Sequence, residues 1–246
     1  IFTEYARQFT RPLNDLANPF NTVLSAIAGA ERVFAIMDEP AEKDHEGAQR
    51  DLELQGAVAF DNVCLSYEKD AAIPTLQHIT FTVAPGETVA LVGATGAGKT
   101  TIMQLLARFY DVDEGAVTFD GKNVKEIARS TLRSQLAFVL QDPFLFEATV
   151  ADNIRYGRLS ATRDEIIAAA QKANAHDFIQ ALPKGYDTVL TADGSEISQG
   201  QKQLLSIARA LLADPKILLL DEATSSIDTI TEMKIQEALE YLMQGR

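Results

Sequence analysis

The fold is decided by the stretch Gly93-Ala94-Thr95-Gly96-Ala97-Gly98-Lys99-Thr100. It fits the pattern G-x-x-x-x-G-K-[ST], in which a glycine-rich loop joins a buried strand to a helix. The apolar run at 88–92 predicts that buried central strand, and helical spacing predicts a helix over 99–110. The glycines let backbone N–H groups point at phosphate oxygens, and the helix N-terminus adds partial positive charge. The segment therefore predicts a phosphate-binding loop in an α/β fold.

Outward from this loop, strand patterns and helix patterns alternate. Apolar residues recur with period two at 58–67 and 79–83, and apolar runs at 137–140 and 217–220 predict further strands. Helices are predicted over 163–174 and 199–213, each beginning at a capping-box pair, Thr162 with Glu165 and Ser198 with Gln201. This alternation predicts an α/β domain with a largely parallel sheet.

The first forty residues show helical spacing of apolar side chains. Pro12 and Pro19 are expected to break or kink the start of this helix, and Asp38-Glu39-Pro40 to end it. The polar stretch 41–51 that follows is typical of a linker. No run of ~18 apolar residues is found, so the chain as given is expected to be soluble or peripheral.

The charge and the cysteine content of the chain limit the partners and covalent links that we expect. The net charge is −13, with 22 basic and 35 acidic residues, which argues against nucleic acid because phosphate backbones are bound by basic patches. The single cysteine, Cys64, permits no internal disulfide and is expected to be a small core residue.

Two carboxylates end the apolar run at 217–220. A strand beside the loop strand would deliver Asp221 to a Mg²⁺ ion, and Glu222 could polarise an attacking water as a general base. Lys99 is expected to reach the β- and γ-phosphates, and the Thr100 hydroxyl to ligate Mg²⁺. Taken alone, two acids at a strand end are also typical of a solvated terminus.

The segment ISQGQKQLLSIARALL, residues 197–212, resembles the signature region of the ABC ATPases. More narrowly, it resembles the nucleotide-binding domains of ABC exporters, with Gln199 in place of the first glycine of L-S-G-G-Q. Gln141 in FVLQDPFLF matches the Q-loop, Asp228 in SSID the D-loop, and Tyr67 the aromatic that stacks on adenine. These motifs follow the family order from about residue 57 to 246.

The resemblance implies ATP and Mg²⁺ as cofactors and a second nucleotide-binding domain as partner, in a homodimer or a heterodimer. The signature residues would act in trans on ATP held by the other subunit. It further implies a mostly parallel core sheet, an N-terminal antiparallel β subdomain and an inserted α-helical subdomain at about 142–205. The nucleotide-binding residues it implies are Tyr67, Gly93, Ala94, Thr95, Gly96, Ala97, Gly98, Lys99, Thr100, Thr101, Ser198, Gly200, Gln201 and Asp228. Gln141 and Glu222 would be catalytic, and Thr100, Gln141 and Asp221 would hold the metal.

The resemblance also predicts the organisation of the chain. Residues 1–50 resemble the end of an exporter's last transmembrane helix and its linker, and 51–246 the nucleotide-binding domain. The transmembrane domain is expected on the same polypeptide, and the ATPase on the cytoplasmic face of the cell membrane. The aromatic run at 144–146 matches the groove that receives the membrane domain's coupling helix, although helical-subdomain core is an alternative.

The sequence departs from the family pattern in two places. Ala192 stands where exporters often carry a glutamate, and the chain stops at Arg246 before the switch histidine and its strand. We therefore expect a fragment of a longer product. The alternative functions are a soluble ABC-type ATPase acting on nucleic acid or ribosomes, a small-molecule P-loop kinase and a purely regulatory ATP-binding module. The motifs do not choose a transported substrate.

Overall fold

The computed structural model describes residues 2–68, 74–191, 196–221 and 228–246. The chain forms two compact units, Ile1–Lys43 and Asp44–Arg246. The first consists of helix α1, Phe2–Met37, followed by irregular backbone. The helix ends before Asp38 as predicted, but it continues through Pro12 and Pro19. The predicted break is therefore wrong, since each proline removes only one N–H while the flanking turns keep theirs.

The prediction that no segment is apolar enough to span a membrane is also wrong. Within α1, Pro19–Met37 reaches the length and composition of a membrane span. Its described side chains, among them Phe20, Leu24 and Ile27, are exposed. Alanines and branched residues keep this segment apolar on average despite Glu31 and Arg32, which interrupt any continuous apolar run. A single helix of this kind, near the N-terminus, is weak evidence for membrane insertion.

The second unit begins with a four-stranded antiparallel sheet in the order β2-β1-β3-β4. The strands are β1 (Val58–Leu65), β2 (Leu76–Val83), β3 (Glu114–Phe119) and β4 (Lys122–Asn123). The Phe60 ring in β1 stacks on Phe81 in β2 with 4.6 Å between centroids. β3 and β4 were not predicted from the sequence. Their signal is Asp120-Gly121, whose φ angles of 49° and 77° form the tight turn that this dipeptide favours.

A second, parallel sheet pairs β5 (Leu136–Val139) with β6 (Ile217–Leu220). The strand predicted at 88–92 is absent, and this segment is exposed, with Val92 at 92%. An apolar run becomes a strand only where neighbouring backbone groups pair with it. None of the described strands pairs with 88–92. In the described residues, therefore, the parallel sheet has two strands rather than forming the larger part of the fold.

The described residues of the second unit also form helices. They are α2 (Lys99–Leu106), α3 (Arg129–Arg133), α4 (Val150–Arg155), α5 (Arg163–Lys172), α6 (His176–Ala181), α7 (Gln199–Ala213) and α8 (Thr229–Met243), with 3₁₀ turns at Val124–Glu126 and Gly185–Asp187. The bounds of α7 are those predicted. One apolar core lies between the antiparallel sheet and α2, and a larger core forms around α7 from α4, α5 and α8. Helix α7 is therefore the central support of the helical region.

Local backbone signals explain where these helices begin and end. Both predicted capping boxes are confirmed, Thr162 with Glu165 at α5 and Ser198 with Gln201 at α7. Helix α2 ends four residues earlier than predicted. Arg108 adopts a left-handed φ of 52°, and its buried guanidinium donates to the carbonyl oxygens of Val124 and Ile127. This tertiary contact overrides the helical pattern beyond Leu106.

Candidate nucleotide-binding site

The glycine-rich loop runs from Gly93 to Gly98, and helix α2 begins at the next residue, Lys99. Gly98 caps the helix with a φ of 88°, in the left-handed region that favours glycine. A Cβ atom at Gly98 would lie 2.5 Å from Leu76 Cδ2, so a larger residue would collide with β2 as well as strain the backbone. Residues 93–97 of the loop are exposed. Gly98 therefore packs closely against β2 where the loop joins α2, while residues 93–97 are exposed to solvent.

Lys99 folds back onto this loop. Its Nζ donates to the carbonyl oxygens of Gly93, at 2.7 Å, and Ala94, at 3.0 Å. A phosphate oxygen is a stronger acceptor for an ammonium group than a neutral carbonyl, because the opposite charges of the two groups also attract each other. The lysine therefore lies where it can exchange loop carbonyls for an incoming phosphate. This geometry fits the predicted role of Lys99.

Tyr67 lies against the helix that follows the loop. Its hydroxyl donates to Gln104 Oε1 at 2.7 Å and lies 3.0 Å from Thr101 Oγ1. The ring of Tyr110 meets it edge-on, with centroids 4.9 Å apart, and Tyr67 remains 48% exposed. The structure therefore brings the predicted adenine-stacking aromatic together with Thr101 on α2. About half of the Tyr67 surface remains exposed, and its stacking on adenine stays a prediction.

The parallel pairing of β5 with β6 sets the position of the candidate metal ligands. Val139 pairs with Leu220, and the Asp221 N–H donates to Val139 O at 2.9 Å. Gln141, two residues beyond Val139, and Asp221 consequently leave the same edge of the sheet. A carboxylate, an amide and the Thr100 hydroxyl are oxygen ligands that suit Mg²⁺. Glu222, and Ala192 near the signature, lie outside the described residues.

The signature segment begins α7. Ser198 accepts from Gln201 N–H, and Gln201 Oε1 accepts from Ser198 N–H at 2.9 Å, so both side chains are used in the cap. Gly200 is buried in the first turn. Helix α7 is 15 residues long, so its N-terminus carries the partial positive charge that anions favour. The segment has the form of an anion site at a helix start.

Two contacts between α7 and the Gln141 segment were not predicted from the sequence. Gln199 Nε2 donates to Asp142 Oδ1 at 3.2 Å, and Gln203 Nε2 donates to Leu140 O at 3.2 Å. The departure of Gln199 from the family glycine is the one signal that could have indicated the first contact. The second had no signal, because a glutamine inside a helix is unremarkable by pattern alone.

Asp228 begins α8 as its N-cap. Its Oδ1 accepts from Thr231 N–H at 3.0 Å. This backbone hydrogen bond is the main cause that lowers the pKa of the Asp228 carboxyl from its ordinary value. The carboxylate is therefore held ionised at the start of the helix.

The aromatic run at 144–146 contributes to an exposed patch next to α7. Phe146 packs on Phe144, with centroids 5.1 Å apart, and on Tyr156, at 4.6 Å. Phe144 is 63% exposed, while the guanidinium of Arg209 lies 5.7 Å from the rings of Phe146 and Tyr156. Burial lowers the pKa of Arg209, which donates to the carbonyl oxygens of Phe144 and Asn153. The patch is thus bonded to Arg209 on its inner side, while Phe144 is exposed on its outer side.

Comparisons with known proteins identify the family of the chain. The family model described as ABC transporter matches residues 76–225. An uncharacterized ABC transporter ATP-binding protein, YfiC of Bacillus subtilis, is 59% identical over the whole chain, which covers 41% of that protein. The fatty acid ABC transporter ATP-binding/permease protein of Mycobacterium tuberculosis is 46% identical, again over the whole chain and 38% of that protein. The ATP-dependent lipid A-core flippase of Syntrophus aciditrophicus is 46% identical over 96% of the chain and 39% of that protein.

Among solved structures, a bacterial Atm1-family ABC exporter with ATP bound superposes with a TM-score of 0.81. It is 40% identical, and the match covers 97% of this chain and 42% of that one. The chain spans about 40% of the length of the curated relatives it matches. The loop, the paired strand ends and the capped signature helix thus occur in a sequence with exporter relatives along almost its whole length. The chain belongs to the ABC transporter family, as an ATP-binding domain of the exporter type.

Proposed function

We propose that this domain hydrolyses ATP as one half of a dimer and thereby drives the export of a substrate across a membrane. ATP binding closes two domains around two nucleotides, and hydrolysis releases them. The γ-phosphate makes differential contacts only in the closed state, which is the condition for a ligand to shift a conformational equilibrium. One observation carries the proposal. Val139, which precedes the 140–142 segment, accepts from the Asp221 N–H, and the segment itself is hydrogen-bonded to the first two turns of α7 through Gln199 and Gln203.

Each residue has a chemical task in this proposal. Lys99 releases the carbonyl oxygens of Gly93 and Ala94 and donates to the phosphates, where it offsets charge that develops during phosphoryl transfer. Glu222 accepts a proton from the attacking water, and the Gln141 amide orients that water. Tyr67 stacks on the adenine ring and fixes the nucleotide relative to the loop.

Thr100, Asp221 and Gln141 would hold Mg²⁺, which neutralises charge on the β- and γ-phosphate oxygens when it is bound. The partner subunit would contribute its own signature segment in trans. Ser198, Gly200 and Gln201 of this chain would accordingly face the ATP of the partner, with Asp228 near the shared boundary. Residues 1–50 would connect the domain to a transmembrane domain on the same polypeptide, placing the ATPase on the cytoplasmic face of the membrane.

A soluble ABC-type ATPase acting on nucleic acid or ribosomes would share the ATP motifs. The exporter relatives do not favour it. The acidic balance of the chain, −13, also argues against a partner that carries a phosphate backbone.

The direct test is ATP hydrolysis by the full-length protein reconstituted in liposomes. We expect Mg²⁺-dependent phosphate release, and accumulation of substrate only in vesicles whose ATPase side faces the ATP. Screening of lipids and fatty acids comes first, because two relatives are named for such substrates. Hydrolysis without transport of any compound would support the proposed ATPase activity but contradict the proposed export. Absence of hydrolysis would contradict the whole proposal.

Replacing Tyr67 by alanine is expected to weaken ATP binding by about 5- to 150-fold, since stacking of a base on an aromatic ring contributes about 1–3 kcal/mol. Tyr67→Phe is the matched control. It removes the hydroxyl bonds to Gln104 and Thr101 but keeps the ring, and we expect its affinity to stay within about threefold of the wild type. Titration calorimetry with ATP measures both. Equal losses in the two variants would assign the effect to the hydroxyl rather than to stacking.

Charging the exposed aromatic patch is expected to uncouple hydrolysis from transport. Phe146→Asp should lower substrate transport by about 10-fold or more while ATP affinity is unchanged, because an aromatic anchor in an interface contributes about 2 kcal/mol or more. Phe146→Leu keeps an apolar side chain against Phe144 and Tyr156 and should retain most transport. If Phe146→Asp loses nucleotide binding to the same degree, the patch is part of the helical core instead.

A further inference from the structure

We infer that Gln199 is a positioning residue that couples the two ATP sites through a tether inside each subunit. The tether consists of the hydrogen bonds from Gln199 to Asp142 and from Gln203 to Leu140 O. It joins the first two turns of α7, where the signature lies, to the residues on both sides of Gln141. This inference rests on the proposed function, because it assigns the signature of one subunit to the ATP of its partner.

The two hydrogen bonds differ in how easily they can be broken. Gln203 is 1% exposed, so its amide cannot leave Leu140 O without losing a buried hydrogen bond. Gln199 and Asp142 are both exposed, so water can replace their contact at low cost. One bond thus fixes the end of β5 to α7, while the other is breakable and lies nearer to the signature.

The position of the breakable bond determines what it can transmit. Asp142 follows Gln141 directly, so a shift of Asp142 reorients the backbone that carries the Gln141 amide. Gln199 is the first residue of α7 and lies between Ser198 and Gly200. Engagement of this helix start by the partner's nucleotide would therefore move or hold Asp142, and through it the amide at the subunit's own nucleotide. Glycine, the family residue at position 199, has no side chain to make this contact.

The cap of α7 does not depend on Gln199. Ser198 and Gln201 close the capping box by themselves. Gln199→Gly should therefore fold normally while removing the bond to Asp142, and Asp142→Ala removes the same bond from the other end. Asp142→Asn is the conservative variant, because its side-chain oxygen still accepts from Gln199 Nε2.

The test measures the rate of ATP hydrolysis against ATP concentration in the full-length protein for the wild type, these three variants and the double variant Gln199→Gly with Asp142→Ala. We expect the wild type to be cooperative, with a Hill coefficient well above 1 for its two sites. Gln199→Gly and Asp142→Ala should each lower kcat by about 2- to 10-fold, the effect of one hydrogen bond, and bring the Hill coefficient towards 1. The double variant should be no worse than either, and Asp142→Asn should resemble the wild type.

A purely structural role would give another pattern. It would lower the melting temperature and change kcat and KM together without altering the Hill coefficient, and that result would overturn the inference. Additive losses in the double variant, or a wild type without cooperativity, would overturn it equally. A wild-type protein that hydrolyses no ATP would instead contradict the proposed function on which the inference rests.

Discussion

Replacing Glu222 by glutamine is expected to lower kcat for ATP hydrolysis by about 10²- to 10⁴-fold, the usual contribution of a positioned general base. Glutamine has nearly the same shape but cannot accept a proton from water at neutral pH. ATP binding should be unaffected, because the base acts on the water rather than on the phosphates. The variant should therefore accumulate as an ATP-bound dimer, measured as radiolabelled ATP that remains on the full-length protein after rapid gel filtration.

Glu240→Gln is the matched control, since it removes the same charge from an exposed position on α8. It should hydrolyse ATP at the wild-type rate. A Glu222→Gln protein that turns over ATP nearly as fast as the wild type would remove Glu222 from the role of base. Loss of ATP retention together with loss of turnover would indicate a binding role instead.

Replacing Lys99 by alanine is expected to abolish activity because the protein no longer binds ATP, whereas Glu222→Gln binds ATP but does not hydrolyse it. Each hydrogen bond from a charged donor contributes about 1.5–3 kcal/mol, so the loss of two contacts to the phosphates should weaken ATP binding by about 10²-fold or more. The free protein should keep its melting temperature. Lys99 is partly exposed, and water can satisfy the carbonyl oxygens of Gly93 and Ala94 that its ammonium now binds.

The exposed Lys184 offers a control of equal charge, and Lys184→Ala should bind ATP normally. Calorimetric titration of both variants with ATP, and with AMP as a ligand that lacks the β- and γ-phosphates, separates the causes. We expect Lys99→Ala to lose most of the preference for ATP over AMP. An unchanged preference would mean that the ammonium stays on the loop carbonyls when nucleotide binds.

Structural features that depend on residues only a few positions apart could be predicted from the sequence. The capping boxes at Thr162 and Ser198, the bounds of α7 and the strand at 217–220 all follow from local chemistry, and the structure has them. The positions of the loop, of Gln141 and of Asp221 relative to these elements follow in turn. The functional roles of the site residues remain predictions.

The features that could not be predicted from the sequence depend on contacts between residues that are far apart in the chain. The apolar run at 88–92 has the composition of a buried strand, but composition does not show whether another strand pairs with it. The early end of α2 depends on the Arg108 guanidinium, which binds carbonyl oxygens at Val124 and Ile127. The bond between Gln199 and Asp142 joins residues 57 positions apart. No periodicity or spacing rule reaches that far.

The pairing of β5 with β6 has a consequence for how the chain folds. Leu136 pairs with Ile217 about 80 residues later, and helices α4 to α7 lie between them. Closing so long a loop costs conformational entropy before the pairing returns any stability. Parallel pairing of distant strands is also slow. The helical region is therefore expected to gain structure first and then bring the two strand ends together. Gln141 and Asp221 would come together only in the last stage of folding, so kinetic traps in the helical region would leave a compact chain without its proposed metal-binding edge.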